Sequence, residues 1–311
     1  MNSILVTGGA GFIGSNLTLE LQQRFPQAAI TVVDDFRSGD FKNLESFKGD
    51  VIAKDLSRMD WAAEFGDPAW DAIFHIASIT DTTNHNQNQQ VHDNVEGFRR
   101  LLDFVKPSQA PVVYASSAAT YGITSGVNTE KDPQAPANVY AFTKVQLENL
   151  ARRAMQNHPH WKIVGLRYFN VYGPREAHKG VPASMIYHLA QQIKEGKKPR
   201  LFKWGEQMRD FVYVKDVVNY TIAALQAKNG RVFNVGTGTP RPFNDIIKIL
   251  NEVLKTQVEP EYIDNPYSFY QPHTQADMSF SIKELGYEPQ YTFEKGIQDY
   301  FESGFLVKKG K

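Results

Sequence analysis

The sequence predicts an α/β chain: a Rossmann-type doubly wound parallel sheet with a smaller mixed α/β substrate-binding lobe. Three observations predict it. Short apolar runs rich in β-branched residues alternate with amphipathic helical spacings through the first half, which is the signature of βαβ units. The first run ends in a glycine loop that opens a helix. The second run ends in an acidic residue, Asp34, placed 20 residues after Gly14.

The elements follow in order. Ile4-Leu5-Val6 is the first strand, and Gly14 to Arg24 the first helix, with Leu17, Leu19, Leu21 and then Phe25 among polar residues. Ile30 to Val33, Val51 to Ala53 and Ala72 to Ala77 are the next three strands. Asn94 to Val105 is a helix, its Val95, Phe98, Leu101, Leu102 and Val105 lying at helical spacing. Pro111 to Ala115 is a fifth strand, Tyr140 to Met155 a helix and Lys162 to Arg167 a sixth strand. Beyond these the pattern is less regular. Met185 to Lys194, Lys215 to Gln226 and Phe243 to Leu254 read as helices, Arg209 to Val214 as extended, and Arg231 to Val235 as a strand. No repeat or linker divides the chain. The expected domains are therefore interwoven: 1–168 with about 212–238 binds the dinucleotide, and about 169–211 with 239–311 forms the substrate lobe. Lys308 to Lys311 is expected to fray.

Composition narrows the function. The chain has 311 residues and equal numbers of basic and acidic side chains, 34 each, so no global charge directs it to nucleic acid or an anionic membrane. There is no cysteine, which removes disulfides, thiolate metal sites and a cysteine nucleophile. The eight histidines lack metal-ligand spacing, and no metal is expected. The first residues lack a secretory signal pattern, and no apolar run approaches the ~20 residues of a membrane span. The cytoplasm is the expected location.

Gly8, Gly11 and Gly14, with Phe12 and Ile13 between them, lie between a strand and a helix. Glycines at this spacing permit a tight turn, close approach of the backbone to a pyrophosphate, and close packing of helix on strand. The helix start then offers unpaired N–H groups and a positive dipole end to phosphates. A dinucleotide site follows. Asp34, with Asp35 beside it, would accept from the adenosine ribose, which favours NAD. Arg37, Ser38 and Lys42 could hold a 2′-phosphate, which favours NADP. Tightly bound NADP is the expectation carried forward, with NAD left open. Asp55 is a candidate for the adenine edge or an ordinary cap.

Tyr140-Ala141-Phe142-Thr143-Lys144 places a phenol and an ammonium on one helix face. A free tyrosine, with a pKa near ~10, is a poor base at neutral pH. A neighbouring ammonium and a positive nicotinamide ring would favour the phenolate. Tyr140 could then take a proton from a substrate hydroxyl as hydride leaves the same carbon, with Ser117 sharing that oxygen and Lys144 reaching the nicotinamide ribose. Either residue alone has a bland reading, a buried tyrosine with a snorkelling lysine. The glycine loop, the acidic strand end and a serine at a strand's carboxyl end make the joint reading specific.

These residues, with Asn138-Val139-Tyr140, Arg167 to Arg175 and Arg209 to Val214, resemble the extended short-chain dehydrogenase/reductases over nearly the whole chain. The resemblance implies cofactor contacts from Ile76, Ala77, Asn94 and Val171, and a sugar contact from Asn170. No Asp-Glu pair follows the serine region, which disfavours dehydration. Gly173-Pro174-Arg175-Glu176-Ala177-His178-Lys179-Gly180, Tyr114 to Gly122 and His273 to Asp277 are similar to the ADP-L-glycero-D-manno-heptose 6-epimerases. That family implies two acid/base residues, Tyr140 and Lys179, on opposite faces of the sugar carbon, with Lys179 also at the cofactor. It implies an ADP-heptose or related sugar nucleotide near His188, Leu201, Phe202, Arg209 and Tyr270, a role in lipopolysaccharide core precursor synthesis, and a homo-oligomer, a pentamer. Read without it, Lys179 is a loop lysine and His188 a core histidine. A UDP-hexose 4-epimerase, or a non-catalytic NAD(P)-sensing protein, stands as the alternative.

Overall fold

In the computed structural model, which describes residues 1–67, 69–80, 86–265 and 271–307, the chain begins with β1 (Ser3–Thr7), α1 (Phe12–Arg24), β2 (Ala29–Asp34), β3 (Asp50–Ala53), the short α2 (Trp61–Phe65) and β4 (Ala72–His75). Next come α3 (Gln87–Val91), a π-helical turn at His92–Glu96, α4 (Gly97–Val105), β5 (Val112–Ser117), α5 (Val139–Asn157) and β6 (Ile163–Tyr168). Then follow β7 (Asn170–Tyr172), α6 (Met185–Lys194), β8 (Arg200–Phe202), β9 (Met208–Arg209), β10 (Phe211–Tyr213), α7 (Val214–Ala223), β11 (Val232–Val235), β12 (Arg241–Pro242), α8 (Phe243–Leu254), β13 (Glu261–Ile263), α9 (Ser279–Leu285) and α10 (Phe293–Glu302).

Among the described residues a seven-stranded sheet runs in the order β11-β6-β5-β4-β1-β2-β3, with every pair parallel. Parallel strands need cover on both faces, so the inner strands are buried along most of their length rather than on alternate residues. Successive side chains of β1 go to opposite faces: Ile4 and Val6 join one core with Leu17, Phe74, Val218 and Phe233, while Leu5 joins the other with Ile73, Phe98, Leu101 and Leu147. A third core belongs to the second lobe. There Ile186 and Leu189 of α6 meet Ile246 and Leu250 of α8 and Ile297 and Tyr300 of α10.

The chain departs from the expected elements where tertiary partners decide. The first helix starts two residues early, at Phe12, because Gly11 serves as its N-cap. The fifth strand runs on to Ser117, since Ser116 and Ser117 find ladder partners in Arg167 and Tyr168 of β6. The stretch expected to be extended from Arg209 to Val214 is broken at Asp210: Arg209 pairs with β12 and Phe211 with β7. Asp210 is fully buried and accepts from the backbone N–H groups of Thr237, Gly238 and Ala276, which fixes the exchange of partners. Lys308 to Lys311 lies outside the described residues. No helix among the described residues is long and apolar enough to cross a membrane.

Candidate functional site

The strand order turns back on itself between β1 and β4, and open α/β sheets hold their ligands in the crevice outside the carboxyl ends at that point. A groove of about 520 Å3 lies there, lined by Gly8, Gly11, Phe12, Ile13, Gly14, Asp34, Asp35, Asp55, Ile76, Ala77, Asn94 and Lys179 among others. A Cβ on Gly8 would meet the Ala77 nitrogen at 2.5 Å, and one on Gly14 would meet the Gly8 carbonyl oxygen at 2.0 Å. Gly8 also has φ +72°, a conformation that glycine adopts without steric cost. The loop is thus pressed against the segment just after β4, and α1 has no side-chain cap on its first N–H groups. A helix start of this form fits a dinucleotide pyrophosphate.

Asp34 is buried, and both of its oxygens already accept from the protein: Oδ2 from the Ala10 N–H at 2.9 Å and Oδ1 from the Phe36 N–H at 2.9 Å. Burial raises its pKa, against the lowering effect of those two bonds. Its first task is to brace the glycine loop. Asp55 caps its own turn, accepting from the Ser57 N–H at 2.9 Å and hydroxyl at 2.7 Å. Asn94, in the π-helical turn, is buried. It binds both backbone groups of Ile79, at 2.7 and 3.1 Å, and donates to Thr143 Oγ1 on α5 at 3.1 Å. That turn couples the wall beyond β4 to the helix of Tyr140.

Ser117 ends β5, and Tyr140 and Lys144 occupy successive turns of α5. Ser117 Oγ accepts from the Ala119 N–H at 3.1 Å and hydrogen-bonds Tyr140. Lys144 is 1% exposed. Its Nζ donates to the Ala115 carbonyl at 2.7 Å and stands 5.7 Å from the Tyr140 ring centre. In the chain by itself, burial dominates the electrostatics of this pair. Burial raises the Tyr140 phenol, only the Ser117 bond lowering it, and burial pushes Lys144 down to about 7. Desolvation of the charged form is the leading cause in both.

Lys179 reaches the groove from a loop of the second lobe, its Nζ 5.4 Å from the Phe12 ring centre. Burial lowers its pKa, opposed by Glu176. Side chains of α1, of the turn after β2 and of the loop itself hold it in place. Asn16 of α1 donates to the Pro174 carbonyl at 3.0 Å. Asn43 lies 3.1 Å from His178 Nδ1. The fully buried Glu176 accepts from the Gly173 N–H at 3.2 Å and from the Ser184 N–H and hydroxyl at 2.6 and 2.8 Å.

A second cavity, about 210 Å3, is lined by Ser117, Asn170, Arg209, Asn138, Gln271 and Thr274 among others. Arg209 is 9% exposed, donates to the Met208 carbonyl at 2.9 Å and lies over the Phe243 ring. Asn170 Oδ1 accepts from Thr274 Oγ1 at 3.1 Å. Val171 packs between the two lobes' cores. His188 Nε2 meets the Val181 carbonyl at 3.1 Å, so it ties α6 to the lysine loop. Leu201 is 1% exposed, its side chain within the third core, and Phe202 is half-buried beside it on β8. For Leu201, apolar burial leaves only the backbone to meet a ligand. Tyr270 lies outside the described residues. Gln271, Asn138 and Thr274 were not singled out as ligand contacts from the sequence. Nothing local marks a polar residue for a cavity that forms only when 117–138 and 271–274 meet.

Residues 4–236 match the profile of the NAD dependent epimerase/dehydratase family. Among solved structures, the chain is similar to the ADP-L-glycero-D-manno-heptose-6-epimerase of Helicobacter pylori, with 41% identity and a TM-score of 0.90 over 97% of this chain and 96% of that one. It is also similar to the UDP-glucose 4-epimerase of Thermotoga maritima with UDP-glucose (27% identity, TM-score 0.89, covering 97% and 99%). A third is the UDP-glucuronic acid 4-epimerase of Bacillus cereus in complex with UDP-glucuronic acid and NAD (28% identity, TM-score 0.87, covering 98% of each).

Proposed function

The chain belongs to the NAD dependent epimerase/dehydratase family, and we propose that it epimerises ADP-D-glycero-D-manno-heptose at C6 to the L-glycero form, a lipopolysaccharide core precursor. The observation that carries this reading is the 41% identity to a heptose epimerase over 97% of the chain, joined to a lysine in the His178-Lys179 segment that lines the groove.

The Gly8 to Gly14 loop and Lys144 would hold a nicotinamide dinucleotide, which would supply a reversible hydride acceptor for C6. The side chains manage protons. Tyr140, hydrogen-bonded to Ser117, removes the C6 hydroxyl proton on one face. Lys179 supplies the proton to the ketone oxygen when it is reduced on the other face. Two opposed faces need two donors, since one fixed side chain reaches only one. Lys144 orients the nicotinamide ribose, Arg209 holds the substrate pyrophosphate by bidentate contact, and Ser117 and Asn170 hold the sugar.

The test is incubation with the D-glycero substrate in D2O without added cofactor, followed by proton NMR at C6. Conversion without deuterium at C6 is expected, and Tyr140→Phe and Lys179→Met each lower the rate by about 10²–10⁴-fold while retaining dinucleotide. Deuterium at C6, or full activity in either variant, overturns the two-base scheme. The similarity to UDP-sugar 4-epimerases at 27–28% identity favours one second reading. Turnover of a UDP-hexose with none of the heptose would establish it.

A further inference from the structure

Glu176 is wholly buried in the loop that carries Lys179. A carboxylate out of water is costly unless it is hydrogen-bonded and balanced by a cation. Among the described residues its oxygens meet donors alone. Oε1 accepts from the Gly173 N–H and the Ser184 hydroxyl, and Oε2 from the Ser184 N–H. The Ser184 hydroxyl itself accepts from the Tyr187 N–H at 3.2 Å, which leaves its proton for Glu176. A set of donors with no acceptor suits the ionised form. These bonds also span the loop, since Gly173 follows β7 and Ser184 caps α6. Between them Arg175 holds φ +71°, a conformation that persists only where the surroundings impose it.

Lys179 is a cation whose charge opposes that of Glu176. The two share one turn, the Lys179 N–H donating to the Glu176 carbonyl at 3.0 Å. The lysine side chain leaves that turn for the groove, half-buried and facing the Phe12 ring. Burial lowers its ammonium, and the Glu176 charge works against that. Other titratable groups surround the pair. His178 stands beside Lys179, and Asp40 of the turn after β2 acts on it. The Tyr187 and Tyr300 phenols of α6 and α10 feel the Glu176 charge. Asp34, Asp35, Asp55 and Asp93, with Arg37 and Lys54, line the same groove as the lysine.

We propose that Glu176 is the positioning residue for Lys179: its buried carboxylate ties the two ends of the loop and supplies the counter-charge that the lysine's ammonium needs at the groove. The proposal rests on Lys179 being the second proton donor of the epimerisation. Without a counter-charge, a lysine so enclosed sheds its proton more readily and has none to give the ketone oxygen.

Amine reactivity tests this without substrate. The purified protein is acetylated by trace acetic anhydride across a pH series, and the Lys179 peptide is quantified by mass spectrometry to give its titration midpoint. Glu176→Gln keeps the shape and drops the charge. Its Lys179 midpoint is expected to fall by at least about one pH unit, the other lysines staying in place. In heptose turnover the alkaline limb of kcat moves to lower pH in the same variant, with KM within about twofold of wild type. Glu176→Asp, which keeps the charge and shortens the arm, lies nearer wild type than Glu176→Gln in both readings. An unmoved midpoint, an unmoved alkaline limb, or Glu176→Gln nearer wild type than Glu176→Asp overturns the proposal. If Glu176→Gln does not fold, Lys179→Met gives the reciprocal measurement. Deprived of the ammonium, Glu176 is expected to take up its proton at higher pH, seen as a protonated-carboxyl infrared band in the pH difference spectrum. A titration identical to wild type overturns the coupling. Labelling needs no substrate, so its failure is distinct from failure of the epimerase reading, which wild-type turnover decides.

Discussion

His75, the last residue of β4, illustrates what burial does to one side chain. Its ring stacks on Phe98, Nδ1 lies 2.8 Å from Thr7 Oγ1, and desolvation, reinforced by Lys144, pushes its pKa from 6.5 down to about 3. The unfolded chain therefore binds an extra proton between about pH 6.5 and 3, and stability falls as pH drops through that window. Lys144 follows the same logic higher up. Its pKa falls from 10.5 to about 7 through desolvation, so the unfolded chain holds more protons between those values and stability rises with pH across them. Urea unfolding at a series of pH values should show a shallower acid limb for His75→Gln and a lost alkaline rise for Lys144→Met. Curves parallel to wild type would contradict both shifts. Neither was legible in the sequence, because desolvation depends on what folds over a residue. Only the identity of the groups and their period were visible.

At the scale of elements, one buried network joins α5 to the sheet. Glu148, one turn beyond Lys144 on α5, accepts from Arg167 of β6 at 2.9 and 2.7 Å and from Ser116 of β5 at 2.6 Å. Arg167 also lies over the Tyr121 ring, 4.6 Å from its centre. This pins α5 against β5 and so holds Tyr140 in line with Ser117. Glu148→Ala would leave Arg167 buried and uncompensated, at a cost of about 3–5 kcal/mol, read as a drop in the urea unfolding free energy. A loss below about 1 kcal/mol, the range of exposed pairs, would show that the network does not carry that load. The i,i+4 relation of Tyr140 and Lys144 was legible because it is local to one helix. The Glu148–Arg167 pair spans 19 residues and two elements, and no local pattern announces it.

At the scale of the molecule, the groove is shared between lobes. The glycine loop and Asp34 come from the first, and Lys179 from a loop that Asn16 and Asn43 fasten to it. A dinucleotide lying there would bind only the folded chain. Stripping it should lower stability by about 2.7 kcal/mol relative to protein held at a hundred times its Kd, and calorimetry of stripped and refilled protein would check this. Equal melting temperatures for the two would mean that the ligand does not bridge the native structure.

The sequence by itself determined the α/β class, the strand-loop-helix at Gly8 to Gly14, and the placing of Tyr140 and Lys144 on one helix face. These depend on short-range periodicity and on backbone freedom at glycine, both of which are written locally. Tertiary structure alone decided that Asp34 braces the glycine loop, that burial governs Tyr140 and Lys144, and that Gly173 and Ser184 close on a buried Glu176. Each of these depends on which distant groups share a desolvated space, and the free energy of a charge is set by that space.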